Sequence, residues 1–325
     1  MKKTDRRSFL RIAGVSIGAG ALYRAAPLLG AGREGAAVAA ALREANGEAP
    51  RPFTFVQLSD THVGFEGPPD PLGTRAFERA VESINALAEA PDLVLFTGDL
   101  THDTENAGEH AERMKRFREI AGRLRVKNVR CVPGEHDAGL DGGALFREHF
   151  GPTSYSFDHR GVHFVALDNV SNGKPEVGQA QRAWLEKDLS RFGPSAPIVV
   201  FTHRPLFDLK PEWEWFTDDG DRVMNALSRF ENVTVLYGHI HRADHRTIGG
   251  AAHHGARSLV FAFPDPASGA EKKPLPFSTA RPFANLGIRK VAENGRGGAG
   301  VDDVELTTAE FAGTNGIQQL LKKGV

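Results

Sequence analysis

An α/β fold built on a largely parallel sheet is predicted by two features of the sequence. Between Phe53 and Pro133, short runs rich in β-branched and aromatic residues alternate with segments of helical periodicity, and such a β-α-β-α-β order packs helices on parallel strands. Each apolar run also ends directly on carboxylate or imidazole side chains, and ligands in such folds gather beyond the carboxyl ends of the strands.

The first strand, Phe53-Thr-Phe-Val-Gln-Leu-Ser59, has the right length and composition and delivers Asp60 and His62 at its end. Phe77, Ala80, Val81, Ile84, Leu87 and Ala88 then recur at helical spacing, forming one apolar face for a sheet. Asp92 to Phe96 is a second strand ending at Gly98-Asp99, and residues 105–124 form a charged helix with Met114, Phe117 and Ile120 on its inner side. Val129-Arg-Cys-Val-Pro133 is a third strand, ending at Gly134-Glu135-His136-Asp137. Ser154–Asp158 and Val162–Asp168 alternate around His159-Arg160-Gly161, the pattern of a β-hairpin. Gln179 to Arg191 is helical, Pro197–Thr202 is a buried strand leading to His203, and Val233–Tyr237 is another leading to Gly238-His239-Ile240-His241. Two further strands are expected near Arg257–Phe263 and Leu286–Val291. The Gly-rich stretch after Glu293 reads as a turn or linker, and the tail to Val325 as a strand and a short amphipathic helix.

Five blocks therefore carry the chemistry: Asp60-Thr-His62, Gly98-Asp99, Gly134-Glu135-His136-Asp137, His203 and Gly238-His239-Ile240-His241. Oxygen and imidazole ligands suit zinc, manganese and iron ions, and two such ions about 3.5–4 Å apart clamp the attacking and leaving oxygens of a phosphoryl centre. The ordered series resembles the signature of the calcineurin-like metallophosphoesterase superfamily, D-x-H, G-D, G-N-H-D/E, H and G-H-x-H, over about Phe53 to His241. The resemblance implies a two-sheet β sandwich flanked by helices, four layers in α/β/β/α order. It also implies a binuclear site of divalent or trivalent ions (Fe, Mn or Zn) that hydrolyses a small phosphate ester by attack of a metal-bridging hydroxide. In that site Asp60, His62 and His241 bind one ion, His203 and His239 bind the other, Asp99 bridges them, and His136 protonates the leaving alkoxide.

Glu135 stands where the family usually has Asn, so a neutral amide ligand becomes a longer, anionic one. Two readings follow: a carboxylate ligand of the second ion that disfavours dianionic monoesters relative to diesters, or a side chain rotated out of the site. Asp137 has two as well, orienting His136 or anchoring its loop. Trp213 and Trp215, with Phe216, follow His203 and either stack on a substrate or pack beneath the loop. Arg204 and Arg242, adjacent to ligating histidines, reach phosphate or form salt bridges, and His254 is placed at the rim as a substrate contact. His102 and Asp103 are read as supports of the site or as a polar turn.

The N-terminus is separate in character. Asp5-Arg6-Arg7-Ser8-Phe9-Leu10-Arg11 resembles a twin-arginine export motif, followed by a modest apolar run from Ile12 to Leu22 and an Ala37-Val38-Ala39 cleavage pattern. The expected organisation is a signal peptide over residues 1–39, a linker over 40–52, a catalytic domain over 53–293 and an extension over 294–325. The twin-arginine machinery is thus an expected partner and the location extracytoplasmic or periplasmic, with no stable membrane span after cleavage. Glutamate at position 135, this leader, Phe201-Thr-His-Arg-Pro205 and Pro211-Glu-Trp-Glu-Trp215 together resemble a bacterial subgroup of the family. A formal net charge of −1 gives no general attraction to nucleic acid, and the single Cys131 rules out an internal disulfide or a cysteine-based zinc site. Similarity to class III cyclic nucleotide phosphodiesterases makes a diester the expected substrate. A broad phosphomonoesterase or a non-catalytic metal-binding envelope protein are the rival readings.

Overall fold

A computed structural model describes residues 52–294 and 299–307. Two mixed sheets form the centre. The first has the order β11-β10-β1-β2-β3, built from β1 (Phe53–Leu58), β2 (Leu93–Thr97), β3 (Val129–Val132), β10 (Gly287–Glu293) and β11 (Ala299–Glu305). The second has the order β4-β5-β6-β7-β9-β8, from β4 (Tyr155–His159), β5 (Val162–Ala166), β6 (Pro197–Phe201), β7 (Asn232–Tyr237), β8 (Asp244–Ile248) and β9 (Ala251–Gly255). β1, β2 and β3 run parallel, as do β5, β6, β7 and β9, so each sheet has the parallel centre the alternation predicts. Antiparallel strands flank both centres, which makes the sheets mixed.

Side-chain alternation sorts the strands into layers. Phe53, Phe55, Leu93 and Leu95 face Val162, Phe164, Val199 and Phe201 of the other sheet and fill the space between them. Their neighbours Val56, Leu58, Val94 and Phe96 point outward, onto α1 (Arg75–Asn85) and α2 (Ala107–Ala121). Val165, Ile198, Val200 and Val235 pack in the same way on α5 (Gln179–Leu189) and α6 (Gly220–Leu227). The result is the α/β/β/α sandwich. The charged helix expected over 105–124 begins at Ala107 because Asn106 caps it, accepting the Glu109 N–H at 3.0 Å. Two short helices, α3 (Glu135–Ala138) and α4 (Ala144–Phe150), follow β3.

Two expectations need correction. The apolar run Arg257–Phe263 is not a strand; the hairpin β8–β9 takes that place in the sheet, and the run crosses the strand ends as an irregular segment. The boundary at residue 293 also cuts a sheet, because β11 pairs with β10 along its length. Asp303 on β11 accepts Arg289 Nε at 2.8 Å, and Arg289, 1% exposed, also donates to Gln57 Oε1 and to the Gly255 carbonyl. β11 thus neutralises a buried cation of the sandwich. The signal peptide and linker expected before residue 52, and the tail helix, lie outside the described residues.

Removing that partner by Asp303→Ala strands a buried guanidinium, so urea denaturation is expected to show a loss of about 3–5 kcal/mol. A loss under about 1 kcal/mol would mean that β11 is dispensable to the sandwich.

Candidate metal centre

The five blocks meet at one end of the sandwich. Asp60 and His62 follow β1, Asp99 follows β2, Glu135 opens α3 just after β3, His203 follows β6, and His239 and His241 follow β7. Five of these residues have left-handed backbone: Asp60 (φ 53°), His62 (φ 40°), Asp99 (φ 48°), His239 (φ 66°) and His241 (φ 51°). Each such residue costs of order 1–3 kcal/mol, and such strain persists where surrounding bonds over-determine it. Here Asp60 N–H donates to the Gly98 carbonyl at 3.0 Å, His62 N–H to the Asp99 carbonyl at 3.0 Å, and His239 N–H to Asp60 Oδ1 at 3.0 Å. Two glycines permit the close approach: a Cβ on Gly134 would overlap Asp99 Oδ1, and one on Gly238 would overlap Ser59 Oγ.

Two ligand clusters share Asp99. Asp60, His62, Asp99 and His241 form the first and Asp99, Glu135, His203 and His239 the second, with the ligand atoms in each within 4.8 Å of one another. Three histidines are aimed from behind: His203 Nδ1–H donates to the Thr97 carbonyl (2.7 Å), His241 Nδ1–H to the Phe261 carbonyl (2.9 Å) and His239 Nε2–H to the Glu214 carbonyl (3.1 Å). In the neutral ring this leaves the opposite nitrogen as a bare lone pair.

Those lone pairs converge on carboxylate oxygens. His203 Nε2 lies 3.3 Å from Asp99 Oδ2, His62 Nε2 3.4 Å from the same oxygen, and His241 Nε2 3.4 Å from Asp60 Oδ1. Glu135 points inward, 2.8 Å from His203 Nε2 and 2.7 Å from His239 Nδ1, toward the second cluster rather than out of it. Buried His203 Nε2 and Glu135 Oε2 have no hydrogen-bonding partner despite their proximity, as befits atoms aimed at a common cation. Burial opposes charge on His203, yet the carboxylates of Asp99 and Glu135 outweigh it and raise its imidazole well above the ordinary histidine value. The same negative field favours a metal ion, and the N/O donor set fits two.

Beside the clusters, His136 Nε2 lies 3.8 Å from Asp99 Oδ2, and its Nδ1 lies 3.0 Å from Asp103 Oδ1. His102 completes the rim, with Nδ1 3.1 Å from His62 Nδ1 and Nε2 3.3 Å from Asp103 Oδ1. Asp103, then, steadies His136. Of the two readings of Asp137, placed with His136 among the catalytic candidates, the contacts fit the loop anchor: it is fully buried, and its oxygens accept the N–H groups of Leu100, Thr101 and Gly134 and the Thr101 hydroxyl, all at 2.8–2.9 Å.

The expected substrate contacts separate. Trp215 is fully buried and Trp213 stands edge-on to it at 4.8 Å, so both pack beneath the loop. Arg204 turns to Glu135 at 3.3 Å and to the Glu214 carbonyl at 2.8 Å. Arg242 pairs with Asp265 at 3.0 Å, and His254 faces His245 at 2.8 Å, away from both ligand clusters. The supporting carbonyls of Thr97, Glu214 and Phe261 went unread in the sequence, since backbone acceptors carry no residue signature.

Comparison with known proteins places the chain in a family. Residues 53–243 match the family described as calcineurin-like phosphoesterase, and the chain belongs to that family of metal-dependent phosphoester hydrolases. Among curated relatives it is 29% identical to a probable glycerophosphodiester phosphodiesterase, GpdQ, of Arcobacter nitrofigilis, over 58% of this chain and 71% of that one. It is 28% identical to the serine/threonine-protein phosphatase CPPED1 of Danio rerio (64% and 75% covered) and 28% identical to a probable cyclic nucleotide phosphodiesterase of Rhodococcus erythropolis (62% and 70%). The crystal structure of a dimetal phosphatase from Danio rerio shares the fold, with a TM-score of 0.53 at 14% identity, covering 78% of this chain and 99% of that one.

Replacing Asp137 by Asn turns an amide N–H₂ toward backbone donors. It is expected to lower stability by about 1–3 kcal/mol in thermal or urea unfolding and to reduce bound metal in elemental analysis. Full metal content with unchanged stability would contradict the anchoring role.

Proposed function

We propose that the protein is an exported binuclear phosphoesterase that prefers phosphodiesters, with His136 as general acid. The observation that carries the reading is the pair of ligand clusters joined at Asp99. When bound, the ions, iron, manganese or zinc by donor chemistry, supply positive charge for the phosphoryl oxygens and an activated water.

The chain's own residues do the rest. His136 stands at the edge of the pair, where the carboxylates of Asp99, Glu135 and Asp103 outweigh burial and raise its imidazole above the ordinary value, favouring the protonated form that an acid needs. Its proton goes to the departing alkoxide. Glu135 adds negative charge to the second cluster, which opposes a dianionic monoester more than a monoanionic diester. Two of the relatives carry diesterase names, which supports the same preference; the phosphatase relatives favour the monoester alternative. Arg6-Arg7 and the apolar run behind them support export by the twin-arginine machinery to an extracytoplasmic or periplasmic location. No helix among the described residues is long and apolar enough to cross a membrane.

Purified protein is expected to hydrolyse alkyl and nitrophenyl phosphodiesters, to stop on metal removal, and to resume with manganese, iron or zinc. His136→Ala should lower kcat for an alkyl diester by about 10²–10⁴-fold, with far less effect on a nitrophenyl ester, whose leaving group needs no proton. Equal losses on both esters would refute the acid role. In Glu135→Asn the monoester-to-diester rate ratio is expected to rise; an unchanged ratio would remove the charge argument.

A further inference from the structure

The two ion sites are built unequally. Asp60, His62 and His241 are almost wholly buried, as are His203 and His239 of the second cluster, but the second cluster also relies on Glu135, a longer side chain that is 29% exposed. A flexible carboxylate of this kind loses rotamer entropy when fixed, so something must hold it. Arg204 is placed to do so. Its Nη2 lies 3.3 Å from Glu135 Oε1, the oxygen that faces His239 Nδ1 at 2.7 Å. Its Nη1 donates at 2.8 Å to the Glu214 carbonyl, which also accepts His239 Nε2–H. One guanidinium therefore holds one ligand of the second cluster, Glu135, and shares the carbonyl that orients another, His239, while touching none of the first cluster's own ligands.

Both ends of the grip are fixed. Asn169 clips the Arg204 backbone, accepting its N–H at 3.2 Å and donating to its carbonyl at 3.0 Å. Glu214 holds a left-handed conformation (φ 61°) between buried Trp213 and Trp215, and Lys272 Nζ donates to the Trp213 carbonyl at 2.6 Å.

Resting on the binuclear reading above, we propose that Arg204 is the positioning residue of the second ion site. It acts through Glu135 and the Glu214 carbonyl, so that its loss weakens the second ion and spares the first. The planar fork is what the geometry uses, so lysine does not replace it.

Calorimetric titration of metal-free protein with manganese tests this without reference to turnover. Wild type is expected to bind two ions in two steps; Arg204→Gln and Arg204→Lys should each weaken the second step by about 10–100-fold and leave the first within about twofold. In a Glu135→Asn background, where no carboxylate remains to be gripped, the penalty of Arg204→Gln should shrink by at least about fivefold. A second step that is unchanged or tightened in Arg204→Gln, equal weakening of both steps, full rescue by lysine, or the same penalty in the Glu135→Asn background would each overturn the proposal. Uptake of a single ion by wild type would instead overturn the binuclear reading, and this inference with it.

Discussion

The Asp99 carboxylate sits where the ends of both sheets meet, and the rest of the site is arranged around its charge. Oδ2 faces the Nε2 atoms of His62 and His203, one from each cluster, while Oδ1 accepts the His136 N–H at 3.0 Å. So many electron-rich atoms this close repel one another unless a cation lies among them. Left-handed backbone at five ligand positions is the cost of bringing them together. Asp137, with four accepted hydrogen bonds beneath the loop, holds the arrangement from the protein side.

The sandwich exists to meet that demand. Parallel strands end on the same side, so β1, β2, β3, β6 and β7 each deliver a ligand to one edge without long loops. The aromatic and aliphatic layer between the sheets makes that edge rigid. Rigidity matters because a ligand set misplaced by an ångström loses its metal geometry.

Much of this was legible in the sequence. The strands before each block were read from apolar runs, and the candidate ligand set from the family resemblance that the five ordered blocks carry. The hairpin β8–β9 was missed because Asp244-His-Arg-Thr-Ile248 and Ala251-Ala-His-His-Gly255 lack apolar alternation: β8 is the edge strand and exposes His245, Arg246 and Thr247, while β9 buries Ala251, His253 and Gly255 rather than large apolar side chains. The reverse error, a strand at Arg257–Phe263, came from an apolar run whose role is local. Leu259 N–H donates to the Asp60 carbonyl and the Phe261 carbonyl orients His241, so this segment is held against the site by its backbone. Trp213 and Trp215 show the same ambiguity: aromatic residues near a site suggest contact with substrate, and only packing reveals that they support Glu214. Residue type alone does not tell a side chain that meets substrate from one that steadies its neighbour.

In the proposed binuclear site Asp99 joins two ions at one end of the sandwich. Anomalous diffraction from manganese-loaded crystals measures it directly. Two peaks about 3.5–4 Å apart, with the Asp99 carboxylate between them and Glu135 on the second, are the predicted result. A single peak, or two peaks that do not share Asp99, would rule out a bridged pair of ions.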